Sequence, residues 1–255
     1  MKIVSNVSVG YNNLDLEELT KRGIMATNTP DILTDTVADT VFALLLSIAR
    51  RIPELDYFVK SKQWNEAIES EHYGIDVHHK TLGIIGMGRI GQAIAQRANL
   101  GFSMNILYHS RTKKPEAEAK YNATYCNLDE LLSLSDFVVL ITPLTEETKG
   151  LIGRRAFQLM KKTAIFINGS RGKTIIEKDL IEALNNGEAA AGLDVFEKEP
   201  VEHDNPLLKM KNVVTLPHIG SSTYETELKM SELAAKNLIA GLNGEKPPNL
   251  INSVV

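Results

Sequence analysis

A chain of 255 residues with 43% hydrophobic content has room for one large or two modest packed domains. Its net charge of −4 gives no hint of nucleic acid or a membrane surface as partner, and its single cysteine, Cys126, excludes an internal disulfide and fits a reducing compartment. The opening residues are too few and too polar for a secretory signal, and the most apolar run, Val41–Ala49, is far shorter than a membrane span, so a soluble cytoplasmic protein is expected.

Lys2–Val9 is apolar and β-branched and predicts a strand ending at Gly10. Leu14–Lys21 predicts a short helix stopped by Gly23, and Ile24–Asn28 a second strand closed by Thr29 and Pro30. Thr36–Arg51 carries the longest helical pattern in this half, with Thr36 and Asp39 spaced as a capping box. Val37, Val41, Leu44, Leu45 and Ile48 form one apolar stripe, and Ala38, Phe42, Leu46 and Ala49 cover much of the other side. A helix apolar nearly all round is buried on several faces, between domains or between subunits. Arg50 and Arg51 suit its C-terminal dipole, and Pro53 breaks or kinks the chain. Leu55–Trp64 is predicted helical, and Asn65–His79 an irregular polar loop.

Thr81–Ile85 predicts a buried strand, and Gly86-Met87-Gly88-Arg89-Ile90-Gly91 follows at once with the spacing G-x-G-x-x-G. The residues Gln92–Ala98 favour a helix. Gly86 permits a tight turn, Gly88 lets the backbone approach a pyrophosphate, and Gly91 lets helix and strand pack closely. The anion then rests on the amides and positive dipole of the helix N-terminus. Strands at Met104–Tyr108, Phe137–Ile141, Thr163–Ile167, Ala189–Val195 and Val213–Leu216 alternate with helices at Leu128–Leu134, Gly153–Met160 and Ile176–Asn186, the last ended by Gly187. Such βα repetition means an α/β fold with a doubly wound parallel sheet. Ser222 and Glu225 are spaced as a capping box for a long helix to Leu242, and the tail is a loop with a short final strand.

An NAD site ends its second strand on a carboxylate that binds the ribose hydroxyls. Here His109 occupies that place, and Ser110, Arg111, Thr112, Lys113 and Lys114 follow with no carboxylate before Pro115. Hydroxyls and cations suit a 2′-phosphate, which favours NADP with NAD as the second candidate; a solvated basic loop is the alternative. Three further strand-end turns hold polar residues. Arg171, flanked by small residues, can present its planar fork to a carboxylate. His218 can exchange a proton near neutral pH, and a carboxylate such as Glu199 on its other nitrogen would fix the tautomer. Taken singly, each also fits an ordinary role: Arg171 a surface turn residue, Glu199 a solvated charge, His218 a cap. No histidine pairs with Cys126 or a nearby carboxylate at metal-ligand spacing, so no metal is expected.

The ordered set GMGRIG, NGSRG, GLDVFEKEP and LPHIGS resembles the D-isomer-specific 2-hydroxyacid dehydrogenases, and within them the glyoxylate/hydroxypyruvate and 2-ketogluconate reductases. The resemblance extends over the whole chain through SNVSVG, TPDILT and TPLTEET. It implies reduction of small 2-keto acids to D-2-hydroxy acids, with Arg171 on the substrate, His218 as proton donor and Glu199 as its partner. It implies that the Val9 and Gly10 amides hold the substrate carboxylate, and that Gly86, Gly88, Arg89, Ile90, Gly91, Ser110, Arg111, Thr112, Lys113, Pro143, Gly169, Asp194 and Gly220 serve the cofactor. It places a homodimer interface at the 36–51 helix. It divides the chain into a partial, discontinuous flavodoxin-like substrate domain (1–33, completed by 226–255) and a Rossmann domain (34–225). Members of the family carry further βα units ahead of the SNVSVG strand, so a shortened chain with weak turnover is expected. The family also contains dinucleotide-sensing corepressors, which makes a binding module the alternative to an enzyme.

Overall fold

The computed structural model describes residues 1–185 and 189–253. The chain forms two compact units, Met1–Val37 together with the chain from Ser221 onward, and Ala38–Gly220.

Strand β1 covers only Ile3–Ser5, shorter than the apolar pattern, and pairs in parallel with β2 (Met25–Thr27). Between them α1 (Leu16–Lys21) starts where the Asp15 carboxylate accepts the Glu18 N–H at 2.9 Å. Helix α2 runs Thr34–Ala49 and so starts two residues before the predicted box. Thr36 Oγ1 instead lies 2.6 Å from Thr226 Oγ1, and Asp39 pairs with Arg97 at 2.7 Å. Arg51 adopts a left-handed φ of 54° and ends the helix, and Pro53 falls in the first turn of a separate α3 (Ile52–Lys60). The Arg51 guanidinium holds Glu54 in that turn through two bonds of 2.8 Å rather than decorating the end of α2. A single 3₁₀ turn, Ser70–His72, interrupts the loop that follows.

The larger unit then repeats strand and helix: β3 (Thr81–Ile85), α4 (Arg89–Gln96), β4 (Asn105–His109), α5 (Pro115–Tyr121), β5 (Thr124–Tyr125), α6 (Leu128–Leu134), β6 (Phe137–Leu140), α7 (Arg154–Leu159), β7 (Ile165–Asn168), α8 (Glu177–Asn185), β8 (Ala190–Leu193) and β9 (Val213–Thr215). Helix α4 passes into a π-type turn, Arg97–Gly101. The helix stop assigned to Gly187 lies outside the described residues. Helix α5 escaped the sequence reading because its PEAEAKY stretch shows only one buried residue, Ala117.

The strands pair in parallel in the order β5-β4-β3-β6-β7-β8-β9. The order reverses between β3 and β6, which opens a crevice at their carboxyl ends. The middle strands are apolar throughout because helices cover both sheet faces. Leu82, Ile84, Phe137, Val138, Val139 and Ile167 have no exposure, and each such side chain contributes roughly 1.5–3 kcal/mol relative to an exposed one. Helix α2 is one of these covers. Val41 and Leu44 lie against Gly169 and Gly192, where any Cβ would meet them at 2.6 and 3.2 Å. Phe42 on another side meets the Phe102 ring, and Val41, Phe42, Leu44, Leu45 and Ile48 are all buried within the chain.

The final helix, α9 (Tyr224–Leu242), begins one residue later than the predicted box: Thr223 Oγ1 accepts the Thr226 N–H at 3.2 Å. It packs on β1, where Ser5 Oγ donates to Ala234 O at 2.8 Å. Among the described residues the tail adds an isolated antiparallel bridge, Thr27 with Leu250, where the sequence predicted a short final strand.

Candidate active site

Every predicted residue of the larger unit lies either in a turn after the carboxyl end of a sheet strand or in the first turn of the helix α4 that follows β3. Gly86 turns the chain out of β3 at φ 108°, and a side chain there would strike the Ile141 carbonyl. A Cβ on Gly91 would overlap the Gly86 carbonyl, so helix and turn touch through bare backbone. Gly88 precedes Arg89 and Ile90 in the first turn of α4, and nothing lies within 4 Å of the place its Cβ would take. That open space adjoins the N-terminus of α4, the positive end of its dipole. In the loop after the neighbouring strand β6, Thr142 Oγ1 is buried and has no hydrogen-bond partner among the described residues. Open backbone, a helix N-terminus and an orphaned hydroxyl fit a dinucleotide. Thr142 was not singled out from sequence; its signal was the Thr-Pro pair closing β6.

The basic loop joins the same end. The Gly86 N–H donates to His109 O at 2.9 Å, which ties the glycine turn to the last residue of β4. Arg111, Thr112 and Lys113 are exposed beyond it. Ser110 Oγ donates to Thr112 O at 2.7 Å, and Lys113 lies 5.4 Å above the Tyr125 ring. Pro143 follows β6, and its carbonyl accepts from Thr148 Oγ1 at 2.6 Å. Gly169 follows β7 and donates its N–H to Leu140 O at 3.3 Å.

The polar triplet is assembled from three adjacent loops. His218 follows β9 in the left-handed region, φ 56°, which few non-glycine residues adopt without reason. Its Nδ1 lies 2.7 Å from Glu199 Oε2, and Glu199 Oε1 accepts the Phe196 N–H at 2.9 Å. The carboxylate is thus held at both oxygens and fixes the imidazole with Nδ1 as donor. Arg171 follows β7. Asn168 supports its turn, accepting from Ser170 N–H and Oγ at 3.0 and 2.8 Å and donating to Arg171 O at 3.3 Å. Any side chain on Gly172 would overlap Phe196 and Glu197, so the Arg171 and Glu199 loops touch. Burial pulls the Arg171 guanidinium below its usual pKa, and the Glu199 charge acts the other way; the group stays a cation.

Asp194 is buried beyond β8 and binds backbone. Its two oxygens accept the Ile219 and Gly220 N–H groups at 2.8 and 2.9 Å. Burial raises its carboxyl pKa above the usual range, and those amides and His218 oppose the rise. Sequence reasoning placed Asp194 and Gly220 with the cofactor; their mutual bond shows a second task, anchoring the loop that carries His218. Val9 and Gly10 belong to the smaller unit, in the loop after β1.

The sequence model described as the D-isomer specific 2-hydroxyacid dehydrogenase, NAD binding domain, matches residues 42–220. The chain belongs to this family. Its members are NAD- or NADP-dependent oxidoreductases acting on CH–OH groups, and the NAD-binding domain is the larger unit described above. Glyoxylate/hydroxypyruvate reductase B of Klebsiella pneumoniae is 54% identical over 256 residues, covering 100% of this chain and 79% of the relative. The Escherichia coli protein of the same name is 54% identical over 253 residues, covering 99% and 78%. Among solved structures, a Thermus thermophilus protein superposes with a TM-score of 0.92 at 42% identity, covering 98% of this chain and 79% of that one. An NADPH-dependent glyoxylate/hydroxypyruvate reductase of Sinorhizobium meliloti, in complex with NADP and malonate, superposes with a TM-score of 0.90 at 34% identity, covering 98% and 77%.

Proposed function

We propose that this 2-hydroxyacid dehydrogenase reduces glyoxylate and hydroxypyruvate, and 2-ketogluconate as a further candidate, to D-2-hydroxy acids with NADPH. The observation that carries the reading is the His218–Glu199 pair at 2.7 Å. It commits Nδ1 to the carboxylate and leaves Nε2 to give a proton to the substrate carbonyl oxygen. Glu199 stabilises the imidazolium between turnovers. Arg171 binds the substrate and opposes negative charge developing on that oxygen. The Val9 and Gly10 amides take the substrate carboxylate, which makes their unit the substrate domain. NADPH, when bound, supplies the hydride. The Gly86–Gly91 turn takes its pyrophosphate, and Ser110, Arg111, Thr112 and Lys113 take its 2′-phosphate; Pro143, Gly169, Asp194 and Gly220 line the same strand ends.

The protein works in the cytoplasm, a reading supported by its lone cysteine; among the described residues no helix is long and apolar enough to cross a membrane. It works as a homodimer, supported by exposed apolar side chains just after α2. NADPH oxidation in the presence of each keto acid, run beside NADH, tests the reaction. Absence of oxidation with glyoxylate and hydroxypyruvate contradicts it.

A further inference from the structure

The loop after β1 is held by its carbonyls. Ser8 O accepts the Thr29 N–H at 3.0 Å, Val9 O accepts Asn28 Nδ2 at 2.9 Å, and Gly10 O accepts Asn6 Nδ2 at 2.8 Å. A trans peptide carries its N–H on the side opposite its C=O. Anchoring Ser8 O therefore turns the Val9 N–H away from Thr29, and anchoring Val9 O turns the Gly10 N–H away from Asn28. Among the described residues neither N–H has a protein acceptor. Two adjacent amides aimed the same way, without partners, suit the oxygens of a carboxylate.

Asn28 is itself immobilised. It is buried, its N–H donates to Asn249 O at 3.3 Å, and its carbonyl accepts Asn237 Nδ2 at 3.2 Å. Asn237 is fully buried, and its Oδ1 accepts the Asn249 N–H at 3.1 Å. A clasp between α9 and the C-terminal tail thus fixes the backbone from which the Asn28 side chain reaches Val9. We infer that Asn28 is a positioning residue for the substrate carboxylate: it aims the Gly10 amide without touching substrate. The inference rests on the assignment of this loop to the carboxylate made above.

The test follows the Val9 and Gly10 amide signals by NMR while oxamate, an unreactive 2-keto acid analogue, is titrated into the ¹⁵N-labelled protein with NADPH bound. Asn28→Asp keeps the shape and replaces the donor with an oxygen facing Val9 O; Asn28→Ala removes the group. Asn252→Ala is the structural control, because Asn252 holds β2 elsewhere through Ala26 N–H at 2.8 Å and Ile24 O at 2.9 Å. In the wild type both amides shift saturably. In the Asn28 variants oxamate affinity falls about tenfold or more, the loss of one or two aligned charge-assisted bonds. The KM for glyoxylate rises in parallel, kcat and NADPH affinity hold, and Asn252→Ala lowers Tm alone. Wild-type amides that ignore oxamate overturn the inference, as do Asn28 variants with wild-type oxamate affinity or an equal loss in Asn252→Ala. A wild type that shifts with oxamate but does not turn over glyoxylate defeats the proposed reaction and leaves the loop's role standing.

Discussion

The Asp194 carboxylate accepts the Gly220 N–H at 2.9 Å, and its other oxygen accepts the Ile219 N–H at 2.8 Å. Both amides directly follow His218, so a buried carboxylate just beyond β8 sets where the proposed proton donor stands. Asp194→Asn keeps the shape but puts an NH₂ against one backbone N–H. We expect kcat to fall on the order of 10²-fold, the scale of a small misplacement of a catalytic group. Wild-type kcat in Asp194→Asn would remove the loop from the mechanism.

The same carboxyl predicts a pH dependence. Burial raises its folded-state pKa above the unfolded value. Its contribution to stability is therefore full below the unfolded pKa and is lost as pH rises through the folded pKa. Turnover runs the other way. Protonation removes an acceptor from the Ile219–Gly220 amides, so kcat should decline on the acid side at a pH above the ordinary aspartate range. A kcat–pH profile beside a Tm–pH profile checks both signs. An acid limb unchanged in Asp194→Asn would contradict the assignment.

His218→Ala should lower kcat by on the order of 10²–10⁴, the usual contribution of a positioned general acid. Glu199→Gln keeps the geometry of the 2.7 Å contact but removes the charge that stabilises the imidazolium, and should lower kcat with little change in NADPH affinity. Steady-state kinetics paired with a fluorescence titration of cofactor separates the two. Full activity in His218→Ala would exclude it as the donor.

The strand–glycine–helix order and the strand-end loops were legible in sequence because each depends on local residue type at fixed spacing, whereas Arg171, Glu199 and His218 were ambiguous one by one and stood out only through the family resemblance. Helix starts were less legible. Thr36 and Ser222 carry capping-box spacing, yet Thr34 opens α2, leaving Thr36 inside the helix with its hydroxyl on Thr226, and Thr223 caps α9; the spacing alone does not show which residue the fold uses. The loop-holding work of Asp194 and Asn28 was invisible for a related reason: their partners are backbone groups brought close only by the fold.

Cofactor choice is read from a loop that has cations where an NAD site has a carboxylate. Arg111 and Lys113 are exposed at the end of β4 beside the glycine turn. Two charge-assisted bonds to a 2′-phosphate should make NADPH bind more tightly than NADH by about 1–3 kcal/mol. Arg111→Ala should erase much of that gap while leaving NADH binding unchanged. The preference should also weaken as salt rises, since the loop is open to solvent. Equal wild-type affinities for the two cofactors would refute the assignment.

We propose that the homodimer forms through the segment after α2 rather than through the 36–51 helix that the family resemblance implied. The apolar stripe of α2 is already buried within the chain, but Tyr57, Trp64 and Tyr73 are 68%, 61% and 61% exposed, with Ile52 and Val59 also open. Large aromatic side chains grouped within some twenty residues are costly to leave in water and are what interface centres are built from. A two-fold homodimer that places this segment against its copy buries them. Light scattering at micromolar concentration should give twice the chain mass of 28.2 kDa. The double variant Tyr57→Glu, Trp64→Glu should run as a monomer with its NADPH affinity retained, because neither residue lies at the carboxyl end of the sheet. A wild-type monomer, or a double variant that stays dimeric, would rule out this surface.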